Sequence, residues 1–382
     1  MGEIVPMKEQ RLQTRLDVEI QKQLKRFRLD VKLQTDGGCL GILGPSGCGK
    51  SMTLKSIAGI VTPDEGLISI QKGTEQRILF DKSQKVNIKP QKRRIGYLFQ
   101  NYALFPNMTV QENIAAGLDG DVKNPKVGEM IGRFGLFGLE KQYPGQLSGG
   151  QQQRTALARI LAYEPDALLL DEPFSAMDAY LKERLRLELK KTLSEYEGVS
   201  VMVTHDRDEA FQLCDHLLLM EEGRVIAAGE TKAVFADPGT WQAARLTGCK
   251  NLSRIEKIGS RKIRALDWDG LELVTAQEVG DEIKAVGIRA HDFEPLSSGE
   301  ALEWGKREDA NLIPVEDAEI SEMPFEWYVT MKNHLWWKIE KTIHVHESAG
   351  LVPEYLRISP EAIVLLRTDH QDRKLIKNAV DP

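Results

Sequence analysis

Hydrophobic residues follow two different periods along this chain of 382 residues, and the change of period divides the chain. Up to about residue 245, short apolar runs typical of strands alternate with stretches of helical period, which predicts an α/β core around a parallel sheet. Further on, short alternating runs predict strands in a small barrel or sandwich. We therefore predict a polar extension at residues 1–15, an α/β domain at 16–245 and an all-β domain at 246–382. The strands predicted in the last domain are 252–258, 262–266, 282–289, 313–320, 327–331, 335–339 and 362–366.

The strands predicted in the α/β domain differ in how much of each is apolar. Residues 16–20 and 27–33 alternate apolar and charged side chains, as half-buried strands do. Residues 166–173 form a short apolar run that ends in two carboxylates, which suits a central parallel strand covered on both faces. The remaining predicted strands are the edge strands 67–70 and 77–81, the strands 39–43, 95–100 and 199–205, and the hairpin 216–220 with 224–228. Helical period marks 52–58, 179–195 and 208–214, and short helices between about 102 and 158 predict a helical subdomain.

Composition narrows the classes of function. The hydrophobic fraction of 41% and charged fraction of 28% are those of a soluble globular protein. The net charge of −6, from 51 basic and 57 acidic side chains, argues against nucleic-acid binding through a basic surface. No apolar run approaches the roughly 20 residues that cross a bilayer, and residues 1–15 lack the apolar segment of a secretory signal. Four cysteines without a C-x-x-C pair indicate reduced thiols.

The strongest local pattern is a glycine-rich loop between a predicted strand and a predicted helix. It has the form G-x-x-x-x-G-K-[ST], in which glycines let successive backbone N–H groups face an anion at a helix N-terminus. Lys50 reaches the β- and γ-phosphates of a nucleotide, and the Ser51 hydroxyl can ligate Mg²⁺. The residues of the predicted phosphate loop are Gly44, Pro45, Ser46, Gly47, Cys48, Gly49, Lys50, Ser51 and Met52. We expect this chain to bind a nucleoside triphosphate.

Cys48 lies inside the same loop, at the predicted start of a helix and two residues from Lys50. Both neighbours favour a thiolate, so the sequence predicts a lowered pKa for this thiol and a reactive cysteine in the empty site.

Two carboxylates follow the apolar run 166–170 and suit two different roles in phosphoryl transfer. Asp171 would hold Mg²⁺, and Glu172 would orient and deprotonate the water that attacks the γ-phosphate. Pro173 would bend the chain so that both carboxylates face the nucleotide. A solvated acidic turn is the alternative for an isolated Asp-Glu pair, and the phosphate loop in the same chain argues against it.

A second anion-binding pattern begins at Ser148, where two glycines open a helix. The Ser148 hydroxyl, the backbone of Gly149 and Gly150, and the helix that continues through Gln151 could together hold a phosphate. A chain with one complete nucleotide site needs no second phosphate-binding site of its own. In a dimer, however, this second site could close over the nucleotide bound to the partner. An ordinary helix N-cap remains the alternative for these residues.

Taken in order, these motifs resemble those of the ATP-binding subunits of ABC transporters. The resemblance covers about residues 16–245 and rests on the phosphate loop, Gln100, the segment 147–154, Asp171-Glu172, Ser175-Ala176-Met177-Asp178 and His205. It implies a P-loop NTPase fold with a RecA-like core, to which an antiparallel β subdomain and a helical subdomain are added. It also implies that Gln100 senses Mg²⁺ and the transmembrane partner, that Asp178 belongs to a loop crossing a dimer interface, and that His205 contacts the γ-phosphate.

A closer similarity is to importers of the sulfate and molybdate class. It rests on the segments 93–106 and 287–292 and on a tail similar to the oligomer-binding-fold regulatory domains of such subunits. The resemblance implies a homodimeric ATPase that hydrolyses ATP with Mg²⁺ on the cytoplasmic face of the membrane. Its partners would be a permease, docked near Tyr102, Leu104 and Phe105, and indirectly a solute-binding protein; no nucleic acid is expected.

The transported solute stays open between molybdate, tungstate and sulfate, with a sugar, a polyamine or iron as alternatives. A soluble ABC ATPase without a transport role is a further alternative, but such proteins usually carry coiled-coil insertions or tandem modules that this chain lacks. The role of the tail is also open. Arg289, His291, Lys332 and Asn333 offer donors to an oxyanion, and Trp327, Trp336 and Trp337 could line its pocket or fill the core of a spacer domain.

Three positions depart from the family pattern. Met52 stands where threonine is usual, but Ser51 keeps the hydroxyl for Mg²⁺, and Met177 replaces a leucine of similar volume. No aromatic residue lies between the first two predicted strands where many members stack the adenine. Phe27 is the nearest candidate, and its alternating pattern predicts core packing, so adenine stacking is left unassigned.

Overall fold

The computed structural model describes residues 14–341 and 352–367, apart from Ala176 and Asp178. It divides into two compact units, one ending at Thr231 and the other beginning at Lys232. Thr14 and Arg15 already belong to the first strand, so the predicted polar extension is shorter than residues 1–15. None of the helices within the described ranges is long and apolar enough to span a membrane.

The first unit carries most of the helices. Its strands are β1 (Thr14–Gln23), β2 (Arg28–Thr35), β3 (Cys39–Leu43), β4 (Glu65–Lys72), β5 (Glu75–Asp81), β6 (Val86–Asn87), β7 (Ile95–Leu98), β8 (Ala167–Asp171), β9 (Val199–Thr204), β10 (His216–Glu221) and β11 (Arg224–Glu230). Its helices are α1 (Lys50–Ala58), α2 (Val110–Ala115), α3 (Pro125–Arg133), α4 (Gly149–Ala162), α5 (Ala179–Glu195) and α6 (Arg207–Leu213), and α7 (Thr231–Ala236) starts at its last residue.

All of these strands join one mixed sheet, in the order β6-β5-β4-β1-β2-β11-β10-β3-β9-β8-β7. The run β10-β3-β9-β8-β7 is parallel, and the run β6-β5-β4-β1-β2 is antiparallel. This arrangement confirms the predicted α/β core with an added antiparallel subdomain. The prediction that residues 67–70 and 77–81 form edge strands is wrong. β4 pairs with both β1 and β5, and β5 pairs with both β4 and the short β6, which forms the edge.

The continuous apolar runs of the parallel strands follow from cover on both faces. Every residue of β3, β8 and β9 is buried. Along β8, Leu168 and Leu170 pack into a cluster that contains Leu157 of α4, whereas Leu169 packs into a second cluster with Leu54 of α1. Alternate side chains therefore meet different helices, and no position of the strand is left for a polar residue before Asp171.

The second unit is built mainly from strands. They are β12 (Asn251–Gly259), β13 (Lys262–Ala265), β14 (Leu271–Val274), β15 (Ile283–Ile288), β16 (Glu294–Leu296), β17 (Asn311–Pro314), β18 (Glu319–Glu322), β19 (Glu326–Thr330), β20 (Trp336–Glu340), β21 (Tyr355–Ile358) and β22 (Ile363–Arg367), with helices α8 (Trp241–Leu246) and α9 (Ser298–Trp304). They form sheets of order β14-β13-β12-β15-β22, β16-β21-β17 and β18-β19-β20. The predicted β-rich tail is confirmed, but the single strand predicted at 313–320 is wrong, since β17 and β18 belong to different sheets.

Several of the residues named for an oxyanion pocket in the tail are engaged in other contacts. Arg289 donates to the carbonyls of Thr247 and Phe235. Trp327 and Trp337 are only 3% and 5% exposed in the core of the unit. Trp327 and Trp337 therefore fill the core, which is one of the two alternatives that the sequence left open for them.

A buried arginine joins several segments behind the phosphate-loop helix. Arg93 has no exposed surface, and its guanidinium donates to the carbonyls of Ser56 and Ile57 at the end of α1 and to that of Ile88. Burial lowers the pKa of Arg93 to about 10, which leaves it charged at neutral pH. The carbonyl groups of Ser56 and Ile57 in the last turn of α1 therefore accept hydrogen bonds from a charged side chain.

We predict that Arg93→Met lowers the free energy of unfolding by about 3 kcal/mol, because several buried carbonyls lose their donor at about 1–3 kcal/mol each. Urea unfolding of the purified chain would measure the change. Lys92→Met, at an exposed neighbouring position, is the matched control and should change stability by less than about 0.5 kcal/mol. Equal stability of the two variants would contradict this role of Arg93.

Candidate nucleotide site

The predicted phosphate loop runs between β3 and α1, and its glycines are required by its backbone. Gly49 caps α1 with a φ of 112°, in the left-handed region that favours glycine. A β-carbon on Gly49 would lie 2.7 Å from Leu29, and one on Gly44 would lie 2.1 Å from the carbonyl oxygen of Met220. The loop can therefore curl around a phosphate only because these two positions carry no side chain.

Lys50 lies within the loop that it serves. Its ammonium group donates to the carbonyl oxygens of Gly44 at 2.7 Å and Pro45 at 2.9 Å, and the residue is 4% exposed. The positive charge is thus held at the centre of the loop, next to the N-terminus of α1. The ammonium charge and the helix N-terminus both favour an anion at this place.

Asp171, at the end of β8, joins the loop to the centre of the sheet. Its two carboxylate oxygens accept one hydrogen bond each, from the Ser51 hydroxyl at 2.7 Å and from the Tyr97 hydroxyl at 2.7 Å. Burial, together with the hydrogen bond to Asp171, raises the pKa of Tyr97, so this phenol stays a donor. The predicted metal-binding pair Ser51 and Asp171 is therefore assembled, and Tyr97 is a member of the site that the sequence did not identify.

Glu172 turns toward the end of the neighbouring strand. Its φ is 47°, its amide donates to the carbonyl of Val203 at 3.0 Å, and its Oε1 lies 3.3 Å from Nδ1 of His205. The sequence assigned the bend to Pro173, whereas the left-handed conformation of Glu172 itself begins it. Such a conformation is unfavourable for a residue with a side chain, and it persists at functional sites where the surroundings hold it.

A cavity of approximately 420 Å³ opens in front of the loop. Its walls bring together residues of the loop, Glu172 and the turn between β1 and β2. They are Leu24, Lys25, Arg26, Phe27, Ser46, Gly47, Gly49, Lys50, Ser51, Met52 and Glu172. The lining combines the basic side chains Lys25, Arg26 and Lys50 with apolar side chains, which suits an anionic ligand with an apolar part.

Phe27 departs from its prediction as a core residue of a strand. It is half-buried, lines the cavity, and lies in the turn before β2, which starts at Arg28. Its ring covers Gly49 and Gly223, since a β-carbon on Gly223 would lie 2.5 Å from it. In the sequence, the basic pair Lys25-Arg26 directly before Phe27 indicates a turn that could face an anionic ligand. The alternating pattern of residues 27–33 instead led to the prediction that Phe27 belongs to a strand.

The remaining predicted site residues are not all assembled in this chain. Ser148, Gly149, Gly150 and Gln151 begin α4 as a capping box and are not among the described residues that line the cavity. Gln100 is exposed, two residues beyond the end of β7. Asp178 lies outside the described residues.

The prediction of a lowered Cys48 pKa is wrong. Burial raises the pKa of this thiol more than the neighbouring Lys50 charge lowers it. The residue is 5% exposed, and its sulfur lies 2.8 Å from where a β-carbon on Gly44 would stand. Cys48 therefore packs beneath the loop instead of facing the phosphates.

A glycine-rich phosphate loop beside paired acidic residues at the ends of parallel strands defines a P-loop nucleoside triphosphatase. Residues 25–175 match the family model for the ABC transporter. The chain is 33% identical over 328 residues to the sulfate/thiosulfate import ATP-binding protein CysA of Vibrio vulnificus, covering 78% of this chain and 89% of that protein. The CysA protein of Synechocystis is 36% identical over 72% of this chain and 74% of its own length.

Among solved structures, the chain is similar to cbiO1 from Clostridium perfringens, part of an ABC transporter complex, with a TM-score of 0.49 and 26% identity over 60% of this chain and 92% of that chain. The chain belongs to the ABC transporter family, as one of its ATP-binding, ATP-hydrolysing subunits.

We predict that Cys48 reacts slowly with a maleimide at pH 7.5, more slowly than free cysteine, because its raised pKa and its burial both reduce the accessible thiolate. Peptide mass spectrometry with and without MgATP would measure the labelling. Raising the pH should speed the reaction as the thiolate forms. Fast labelling at pH 7 that MgATP prevents would show instead that the thiol faces the phosphates.

Proposed function

We propose that this chain is the motor subunit of an importer of sulfate or a related oxyanion, and that two copies work together under a membrane permease. The observation that carries the proposal is that Ser51 and Glu172 line one cavity, while Asp171 accepts the hydrogen bond of Ser51 and His205 lies beside Glu172. The substrate class is supported by the relatives named for sulfate and thiosulfate import, one of which aligns with 78% of this chain. Molybdate and tungstate are oxyanions of the same class and stay as alternatives.

The residues at the cavity suit hydrolysis of a nucleoside triphosphate. Lys50 and the loop amides would hold the phosphates, and Lys25 and Arg26 at the rim add charge of the right sign. Glu172 would take the proton of the attacking water, while the adjacent imidazole of His205 would keep the γ-phosphate in line. Phe27 is the aromatic surface that the cavity offers to the adenine ring.

The donor set beside the loop fits Mg²⁺. The Ser51 hydroxyl and the Asp171 carboxylate are hard oxygen donors 2.7 Å apart, and Gln100 could add an amide oxygen, as Mg²⁺ sites with few protein ligands require. When bound, Mg²⁺ would neutralise charge developing on the phosphate oxygens.

A second copy of the chain would complete each site. Ser148 and Gly149 are exposed at the N-terminus of α4, and a β-carbon on Gly149 would meet no atom within 4 Å. This open helix start supports closure over the partner's nucleotide through Ser148, Gly149, Gly150 and Gln151. We extend the same proposal to Asp178, on the family resemblance alone.

The permease contact requires a correction within the loop 102–105. Tyr102 is 4% exposed, and its hydroxyl donates to the carbonyl of Pro173, so it cannot form a docking surface. Phe105 is 44% exposed and stacks under Arg159 at 5.2 Å, and Leu104 packs partly against the core. We therefore centre the proposed dock on Phe105, on the cytoplasmic face of the membrane.

For the second unit we propose a regulatory or spacer role that does not depend on oxyanion binding. Lys332 and Asn333 line a cavity of approximately 190 Å³ beside Trp268. The Lys332 ammonium, however, lies 3.9 Å from both Glu316 and Asp317. An anion would meet these carboxylates as well as the lysine, which disfavours its binding there.

We predict that Glu172→Gln lowers kcat for ATP hydrolysis by about 10²–10⁴-fold, because the base is lost while the phosphate grip remains. Phosphate release and ATP binding would be measured on the purified chain, which should form an ATP-dependent dimer on a sizing column. In cells that lack their own sulfate ATPase subunit, the wild-type chain with its cognate permease should restore ³⁵S-sulfate uptake, and Glu172→Gln should not.

Glu222→Gln is the matched control, since Glu222 also has a left-handed backbone, with a φ of 45°, but lies in the turn between β10 and β11. It should retain ATP hydrolysis. Normal turnover by Glu172→Gln would contradict the assignment of the base. Uptake of molybdate without sulfate would redirect the substrate but leave the ATPase assignment intact.

We predict that Phe105→Ser abolishes co-purification with the permease while basal ATPase activity stays within about twofold, because an exposed aromatic anchor carries much of an interface's binding energy. Phe137→Ser is the control, since Phe137 is a more exposed phenylalanine of the same subdomain, at 73%, and should leave permease binding intact. Equal permease binding by wild type and Phe105→Ser would place the dock elsewhere.

A further inference from the structure

Four charged side chains link α5 to the start of α6. The Lys182 ammonium lies 2.7 Å from Asp206 and 2.7 Å from Glu209, and the Arg186 guanidinium lies 3.0 Å and 3.7 Å from the same two carboxylates. We call Lys182, Arg186, Asp206 and Glu209 the α5–α6 charge cluster. No step of the proposed hydrolysis uses these residues, yet Asp206 directly follows His205 in the chain.

The cluster fixes the backbone on both sides of His205. On one side, the Thr204 hydroxyl donates to Glu209 at 2.6 Å and accepts the amide of Asp206 at 2.9 Å. On the other side, Asp206 caps α6, since its carboxylate accepts the amides of Asp208 and Glu209. The His205 side chain itself is 53% exposed and touches Glu172 at 3.3 Å. Its position therefore depends on its two neighbours rather than on packing of its own ring.

Two members of the α5–α6 charge cluster are buried, so each depends on its oppositely charged neighbours. Glu209 is 3% exposed and Arg186 is 9% exposed. Burial works against the charge on Lys182, but the hydrogen bonds that its ammonium group donates to Asp206 and Glu209 outweigh this effect and raise the Lys182 pKa. A buried carboxylate that loses a cation becomes strongly unfavourable, so the turn at 204–206 is stable only while α5 stays against it.

We propose that Lys182 and Arg186 are positioning residues for ATP hydrolysis, which hold the turn of His205 so that its imidazole stays beside Glu172. This inference rests on the proposed role of His205. Because α5 begins one residue after Asp178, a displacement of this helix at a subunit interface would reach the imidazole through the cluster.

A double-mutant cycle on the full chain tests this link. Lys182→Met should lower kcat about tenfold with little change in KM for ATP, because the grip on the nucleotide is untouched. In a His205→Ala background the same change should lower kcat by less than about twofold, since two residues that act through one group are not additive. Lys182→Arg, which keeps the charge and the reach, should restore kcat to near the wild-type value.

Arg184→Met is the matched control, because Arg184 lies on the same helix in an exposed pair with Glu188, at 75% exposure, and should leave kcat unchanged. Thermal melts of all variants separate positioning from unfolding. A kcat loss from Lys182→Met that is equally large in wild type and in His205→Ala would overturn the inference while leaving the proposed function intact. Wild-type kcat for His205→Ala would instead overturn the role of His205, and the inference with it.

Discussion

The hydrogen bond between Ser51 and Asp171 is the contact on which the nucleotide site depends. It joins the first turn of α1 to the end of β8 at 2.7 Å, and it does so only because the sheet sets β3, β9 and β8 side by side and parallel. Parallel strands end at one edge, so the loop after β3, the carboxylates after β8 and the histidine after β9 meet without any long excursion of the chain. The fold therefore creates the site by strand order.

Much of this could be predicted from sequence because the determining signals are local. β3 was predicted with the bounds that the structure has, and the runs at 166–170 and 199–204 are wholly buried strands. Such strands are almost entirely apolar until they end, and the buried Ser200 of β9 is accommodated because its hydroxyl donates to the carbonyl of Gly38. The ionisable residues of the site therefore follow directly where these apolar runs end. Glycines whose β-carbons would collide with neighbours, such as Gly44 and Gly49, mark the loop for the same local reason.

The features that could not be predicted from the sequence depend on contacts between residues that are distant in the chain. Cys48 lies beside Lys50, which argued for a thiolate, but the packing beneath the loop outweighs the charge and raises its pKa. Tyr97 became part of the site only through its bond to Asp171, 74 residues later. In the second unit, β17 pairs with β21 and β18 pairs with β19, so one alternating run divides between two sheets, and periodicity cannot reveal where the partner changes.

The residues proposed to act in hydrolysis, Glu172 and His205, are held by backbone hydrogen bonds and charge rather than by apolar packing. Glu172 keeps a left-handed conformation because its amide is bound to Val203 of the adjacent strand, and His205 is exposed between two residues bound to buried charges. A side chain packed in a core would be fixed in one state, whereas one held by ion pairs can be moved when a partner helix moves. An enzyme that must hydrolyse ATP only at the right stage of a transport cycle has reason to hold its catalytic groups in this way.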